Sequence, residues 1–457
     1  MPLRFKVRLT ILLVLFLWEP AGFMAPAGAQ EAMASPDVPR IFDLAAAVQF
    51  GLDHNPRIDA ARFAVSGAEA GEKSARGNFF PQIDLSASKR RLTNESASES
   101  DQDYLDQDGD TRAVRLSLPL FAGFSVLNTF QRAQINKELT EARLIQEKLN
   151  LVFEIQRRFL ELVKAREDWR SAESAVKRLE HQLESANAYC RVGMKPWLVV
   201  LQIKAELAAA ERFGIEVKNA LRVAAVRLNK LLDLPAASAV EYRGAYAAEV
   251  LSSPVSSEEC CELALLLRPD AKVARKSVEL AEKDVKLAGS RFYPRVSLDS
   301  DYTRQKTDYE VTRYKDIDRD YWSVGINLQM NLFTGGRNFY AVKEAGEAAS
   351  RARALVSDLE NTIVMEVTAA YIVFQDAGEK IVSSQKVLEA AAEAYEMASA
   401  RFRTTMGTST ELLDAQAKMT DAEVVLNQSV TGQRLSLAQL YNAMGHFQYA
   451  LDTPQFR

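Results

Sequence analysis

Cysteine and histidine are scarce in this 457-residue chain, with three of each. Cys190, Cys260 and Cys261 are too few for a disulfide framework. His54, His181 and His446 stand far apart, with no paired ligand spacing, so metal catalysis has no visible donor set and no cofactor is implied. A charge excess is missing too. Against 61 Asp and Glu stand 57 Lys and Arg, a net charge of −4, which lacks the basic footprint of a nucleic-acid partner. No G-x-S-x-G, no H-E-x-x-H and no convergent carboxylate pair supports an envelope hydrolase. After Gln30 no run of 18 apolar residues occurs, so any membrane crossing there has to use strands.

What is present is an ordinary folded composition, 47% hydrophobic and 26% charged, on a chain long enough for a large core. The first 29 residues read as a secretory signal peptide. Arg4, Lys6 and Arg8 lead, Leu9 to Trp18 form a short apolar core, and Ala27-Gly28-Ala29 supplies small residues for cleavage before Gln30. The apolar run is too short for a spanning helix, and no cysteine follows the cleavage point to carry a lipid.

The chain then repeats itself. NPRIDAARFAVSGAEAGEKSARGNFFPQIDLS from Asn55 aligns without gaps to RPDAKVARKSVELAEKDVKLAGSRFYPRVSLD from Arg268. Pro56 and Pro269, Pro81 and Pro294, and Leu85 and Leu298 are each 213 apart (269−56, 294−81, 298−85). PLFAG and NLFTG follow at an offset of 212 (335−123), and Asn229 pairs with Asn442, again at 213 (442−229). Five matches in one order indicate a duplication, with a first repeat over 41–232, a linker over 233–256 and a second repeat over 257–445, before a tail at 446–457.

Each copy reads helix, strand, strand, long helix, shorter helix. Helices are expected near 41–79 and 257–291, strands near 81–92, 112–121, 294–305 and 320–333, long helices near 125–188 and 338–402, and shorter ones near 196–232 and 408–445. A long helix of that length would reach roughly 95 Å, and the two shorter helices of a repeat would stack end to end beside it. Ile135, Leu139, Ala142, Leu149, Val152, Phe159 and Val163 recur at three- and four-residue steps that suit coiled-coil-like packing. In the strands, Ile83, Leu85 and Ala87, then Val114, Leu116, Leu118 and Leu120, then Trp322 to Leu332, alternate apolar with polar over about ten residues, as transmembrane barrel strands do. Aromatics at Phe79-Phe80, Phe292-Tyr293 and Tyr321-Trp322 mark their ends. Half-buried strands of a soluble sheet alternate as well. Four strands cannot close a barrel, so the chain is expected to oligomerise: two copies would give a filled eight-stranded barrel, three a twelve-stranded one with an aqueous lumen.

With its duplicated element order, FFPQIDLS and FYPRVSLD, LFAG and LFTGG, and RFRTTMGTSTELLDAQ over 401–416, the chain resembles the TolC family of outer-membrane efflux and secretion channels. The resemblance spans 43–445 and implies a mainly α fold with a membrane β-barrel. Three chains would form a twelve-stranded barrel in the cell outer membrane and a trimeric α-barrel across the periplasm. It implies a passive conduit in a tripartite system for small-molecule efflux, with a periplasmic adaptor (membrane fusion) protein and an inner-membrane pump of RND or ABC type. The outer-membrane component of type I protein secretion is the alternative. By the family's pattern in the second helical turn, Asp414 falls at a pore constriction, with Glu411 three residues earlier on the same helix face. The pattern usually begins Arg-Tyr with Gly four residues after the Arg. Here Phe402 takes the tyrosine place and Thr405 the glycine place, with Gly407 two residues on, so a hydroxyl-to-carboxylate latch at 402 is ruled out. Gly193, Met194, Met406 and Gly407, with Trp197, sit in the two turns where an adaptor would dock; packing of the turns themselves explains these residues equally well.

The segment from Glu95 to Asp110 holds seven acidic residues and no basic one, and reads as a solvated outward loop, since a calcium loop aligned on Gly109 would need Tyr104 and Arg115 as ligands. Cys190 lies beside the Gly193 turn and Cys260 beyond the linker, about 50 Å away along the intervening helix, so no disulfide is expected between them.

Overall fold

The computed structural model describes residues 41–447 apart from 96–103, 239, 245, 247, 253–254 and 310–315. The expected signal peptide, most of the tail and residues 96–103 of the acidic segment lie outside the described residues.

The duplicated order holds, with more breaks than the sequence pattern suggested. The first copy runs β1 (Ile41–Phe42), α1 (Leu44–His54), α2 (Pro56–Gly77), β2 (Gln82–Glu95), β3 (Tyr104–Ala122), α3 (Ser125–Arg191) and α4 (Trp197–Leu231). After β4 (Glu241–Tyr242) come α5 (Ser257–Leu267), α6 (Pro269–Gly289), β5 (Arg295–Tyr309), β6 (Ile317–Gln329), α7 (Arg337–Arg403) and α8 (Ser409–Met444). The single helices expected near 41–79 and 257–291 are each two. Proline at N1 of α2 and α6 has no N–H to give the preceding turn, and the residue before it is held extended (φ −75°, ψ 125° at Asn55; φ −60°, ψ 123° at Arg268). Both breaks are tied to the end of their own repeat. Asn55 Nδ2 donates to the Leu231 carbonyl at 2.8 Å, and Arg268 Nη1 donates to the Ala443 carbonyl at 3.2 Å.

The linker also contains structure. β4 pairs in parallel with β1, and the Tyr242 ring stacks on Phe42 while its hydroxyl donates to Asn229 Oδ1. Burial there pushes the Tyr242 phenol up to about 12. This crossing closes a core in which Phe42, Ile155, Phe159, Leu228, Phe374 and Tyr441 are almost wholly buried. All seven apolar positions picked out along α3, from Ile135 to Val163, are buried.

The helices form one open layer. α2 and α4 pack on one side of α3, α6 and α8 on the other, and α7 lies beyond α6 and α8. The strands form one antiparallel sheet in the order β2-β3-β5-β6. Among the described residues no helix is long and apolar enough to cross a membrane.

Three strands outrun their apolar stretches, whereas β6 starts early, at Ile317, and stops at Gln329, so Met330 and Leu332 of the expected strand near 320–333 fall outside it. β2 continues to Glu95, β3 begins at Tyr104 rather than near 112, and β5 reaches Tyr309, so half of the expected acidic loop is strand. Cross-strand ion pairing sustains these polar ends: Arg304 with Asp318 at 3.5 Å across β5 and β6, with Arg112–Asp110 and Lys306–Asp308 along single strands. Tyr321 and Trp322 fall on opposite faces of the sheet, so of that pair only Trp322 shares a row with Leu85, Val114 and Tyr302.

Candidate conduit and its two turns

One sheet face carries rows of apolar side chains: Leu118, Leu298 and Ile326, then Leu116, Ile83 and Val324, then Leu85, Val114, Tyr302 and Trp322. The opposite face is polar. Arg115 Nε donates to Asp301 at 2.7 Å beside Asp84, and Asp299 accepts from both Ser117 and Ser297 at 2.7 Å. A sheet apolar on one side and hydrogen-bonded on the other suits lipid outside and water inside.

At each junction between sheet and long helix stands a glycine that geometry requires. Gly123 has φ +60°, and a Cβ there would lie 2.5 Å from the Ser290 carbonyl oxygen; Gly335 and Gly336 have φ +62° and +82°. These are the glycines of LFAG and LFTGG.

At the far end of the helices the two turns contact each other. Lys195 Nζ donates to the Gly407 carbonyl at 3.0 Å and sits 4.7 Å from the centre of the Phe402 ring, while Ser409 Oγ donates to Gln202 at 2.7 Å. Phe402, only 2% exposed, packs with Val200, Ile203 and Leu412 in a small core of its own. The residue occupying the family's tyrosine place therefore acts as an apolar plug. A hydroxyl contact exists seven residues earlier: Gln182 Nε2 donates to the Tyr395 hydroxyl at 3.2 Å and to Gln416 at 3.4 Å. One turn of α3 earlier, Arg178 pairs with Glu423 at 3.2 Å, both largely shielded. Sequence reasoning missed this Arg178–Gln182–Tyr395–Gln416–Glu423 network. Its members lie on three helices, 213 to 245 residues apart, so no local spacing announces it.

The candidate constriction residues are on the exposed face of α8, three positions apart as expected. Their partners limit them. Glu411 is the N3 residue of a capping box: its carboxylate accepts from the Thr408 N–H at 3.3 Å, and its own N–H donates to Thr408 Oγ1 at 3.2 Å. Asp414 pairs with Lys418 one turn on at 2.8 Å, both exposed. Leu412 is buried inside the protomer and so is withdrawn from any mouth. Of the docking residues, Met194 and Met406 are exposed, Met406 the most (77%), together with Val192, Trp197 and Leu198. Gly193 has φ +77° with open space around it, whereas Gly407 lies against the Arg401 side chain and the Phe402 backbone. Among the described residues there is no grouping of His, Cys, Asp or Glu that could hold a metal.

Known proteins resemble this arrangement along most of its length. Outer membrane protein TolC of Vibrio cholerae is 21% identical over 374 residues, 81% of this chain and 83% of the relative. Alkaline protease secretion protein AprF of Pseudomonas aeruginosa is 21% identical over 352 residues, 74% and 71% of the two chains. The solved structure of outer membrane protein VceC from Vibrio cholerae superposes with a TM-score of 0.74 at 20% identity, covering 88% of this chain and 96% of the other. The sequence profile of the outer membrane efflux protein family matches twice, over 48–233 and 261–446, an offset of 213 (261−48) that equals the internal repeat. Proteins of that family are passive channels of the outer membrane and not enzymes. With its two matched segments and its duplicated helix–strand–strand–helix–helix order, this chain belongs to the outer membrane efflux protein family.

Proposed function

We propose that three copies of this chain close into one duct, a twelve-stranded barrel in the outer membrane continued by a periplasmic α-helical tunnel, that serves as the exit of a tripartite small-molecule export system. The observation that carries this reading is that the two layers are open at the same edges. The sheet ends at β2, which follows α2, and at β6, which precedes α7; the helical layer ends at α2/α4 and at α7. An open strand edge in lipid leaves backbone groups unpaired at several kcal/mol each. Both helical edges carry exposed apolar side chains, Leu201, Ile215 and Val223 on α4 and Met365, Ile372 and Met397 on α7. Joining β2 of one copy to β6 of the next would cover both layers at once. A stable monomer by sedimentation in detergent would end this reading.

Transport through such a duct is passive, so energy and substrate choice come from an inner-membrane pump reached through an adaptor. The exposed apolar tips at Gly193–Met194 and Met406–Gly407 are the docking positions. The similarity to AprF favours one second reading, export of a protein such as a protease, which uses the same duct.

Asp414 and Glu411 from three chains would ring the mouth, with Lys418 offsetting part of their charge. In planar bilayers the open channel is expected to prefer cations and to lose conductance when millimolar divalent ions are added on the periplasmic side. Asp414→Ala with Glu411→Ala should weaken both effects with the trimer intact, and Lys418→Ala should strengthen the cation preference. Unchanged selectivity in both variants would move the constriction elsewhere.

A further inference from the structure

Where the sheet meets the helices, the start of β5 and the start of α7 enclose a cavity of about 410 Å³. Arg291, Arg295 and Arg337 line it with Tyr293 and Gln329, and no carboxylate belongs to its wall. Arg295 and Gln329 face each other across β5 and β6, two residues from the Ser297–Asn327 pair, so the cavity opens on the polar face of the sheet. Among the described residues none of the three arginines has an ion-pair partner. Arg115, on the same face, does: it holds Asp301. No side chain caps the start of α7, so the positive end of that helix adds to the field in the cavity. The first copy builds the same junction without these charges. Arg291, Arg295 and Arg337 correspond to Asn78, Gln82 and Ser125 (291−78 and 295−82 give 213, 337−125 gives 212), while the left-handed residues before the long helices, Phe124 and Gly336, match at 212 (336−124). Strand pairing extends a sheet sideways, so β2 of a next copy would border the cavity at β6 and leave its polar face open.

We propose that this cavity is an oxyanion site in the lumen of the duct, one per chain, which holds the phosphate or carboxylate group of an exported small molecule at the foot of the barrel. Guanidinium forks match such oxygens with paired, charge-assisted hydrogen bonds, and three of them without an internal counter-charge leave the site to an external anion. In a trimer nine arginines, three from each of three chains, would form one ring and raise the local concentration of anions. A cargo that carries its oxyanion beside a cationic group would satisfy both this ring and the acidic mouth. The inference rests on the duct reading given above, because it needs the polar face in water.

The test is single-channel conductance of the full mature protein in planar bilayers. Inorganic pyrophosphate is the probe, added on the barrel side so that it meets the ring before the mouth. At about 0.1 M KCl, where the screening length is about 10 Å, pyrophosphate should lower the current. The variants take the first copy's own residues, which fit the same junction. Arg291→Asn with Arg295→Gln and Arg337→Ser should raise the half-blocking concentration about tenfold or more, from the loss of charge-assisted bonds. Should the triple variant not assemble, Arg295→Gln and Arg337→Ser alone should each raise it about threefold, and Arg295→Lys by less than Arg295→Gln, because lysine keeps the charge and loses the fork. A block unchanged in these variants, or a conducting channel indifferent to pyrophosphate, overturns this inference alone. Loss of the trimer in both single variants also overturns it, since the arginines would then belong to the seam between copies. An unaltered chain that forms no trimer and no channel refutes the duct reading instead.

Discussion

The two copies of the repeat solve the same two problems with different residues. At the helix breaks, Asn55 reaches the end of α4 with one neutral amide, while Arg268 reaches the end of α8 and also holds Asp270 and Glu366, each at 2.6 Å. At the turns the backbone is the same in both: Met194 N–H donates to the Tyr189 carbonyl and Met406 N–H to the Arg401 carbonyl, each five residues back, in Schellman fashion. The residue before each methionine is left-handed, Gly193 at φ +77° and Thr405 at φ +62°. Glycine accepts that conformation freely; a β-branched residue is strained in it. After the turn the advantage reverses, since α8 begins with a full capping box and α4 with an uncapped Pro196. The duplication conserved the geometry and let the chemistry of each copy drift, so substitutions between copies can measure each device separately.

The largest difference is expected at the breaks. Arg268→Ala removes two ion pairs and the tie to Ala443 from a guanidinium that is mostly shielded, and should lower stability by about 3 kcal/mol. Asn55→Ala removes the α2 cap and one buried amide bond and should lower it by about 2 kcal/mol. Urea midpoints of the detergent-solubilised protein, followed by circular dichroism, check both. Equal losses would mean that the carboxylates add nothing at Arg268.

The turns should give opposite signs. Thr405→Gly relieves the left-handed threonine and should stabilise by about 1 kcal/mol, whereas Gly193→Thr imposes the same strain and should cost about 1–2 kcal/mol. Thermal unfolding of the two single variants and of the exchange double variant reads this directly. A destabilised Thr405→Gly would show that the hydroxyl of Thr405 holds more than the strain costs.

Much of this was legible from residue spacing. The 213-residue repeat, both long helices, the four strands and their apolar face all follow from periodicity and aligned prolines. The breaks before Pro56 and Pro269 were visible as residues, yet the apolar period runs through them, so one helix was read where two exist. The strand ends are hidden for another reason: Lys306 and Asp318 have no apolar alternation, and only their pairing across the sheet makes them strand. Asp414 and Glu411 share one exposed face of α8, as their spacing implies, but a cap and a neighbouring lysine are local partners that a charge count does not weigh. β4 escaped notice because two residues carry no period, and Tyr242 gains its place from Phe42 and Asn229 far away in sequence.

The smallest expected effect concerns the thiols and comes from the same comparison. Cys260 stands 213 residues after Ala47 (260−47), and both are wholly buried in the shared core. The first copy fills that slot without sulfur, so Cys260→Ala should cost no more than about 1 kcal/mol near neutral pH, the loss of one small buried group. Its pH dependence is more telling. Burial pushes the Cys260 thiol up to about 11, above its ordinary value near 9. A folded state that keeps its proton longer than the unfolded state loses stability as pH rises, here between about 9 and 11. Tyr242, pushed up to about 12, adds a similar decline slightly higher. Cys260→Ala should therefore flatten the lower part of the alkaline limb and leave the upper part. Maleimide at pH 8 should label half-buried Cys190 and Cys261 well before Cys260, whose thiolate fraction there is about one in a thousand and which has no exposed surface. Equal labelling of all three in the folded protein would mean that the α5 slot opens in solution, and that the two copies differ in dynamics as well as in residues.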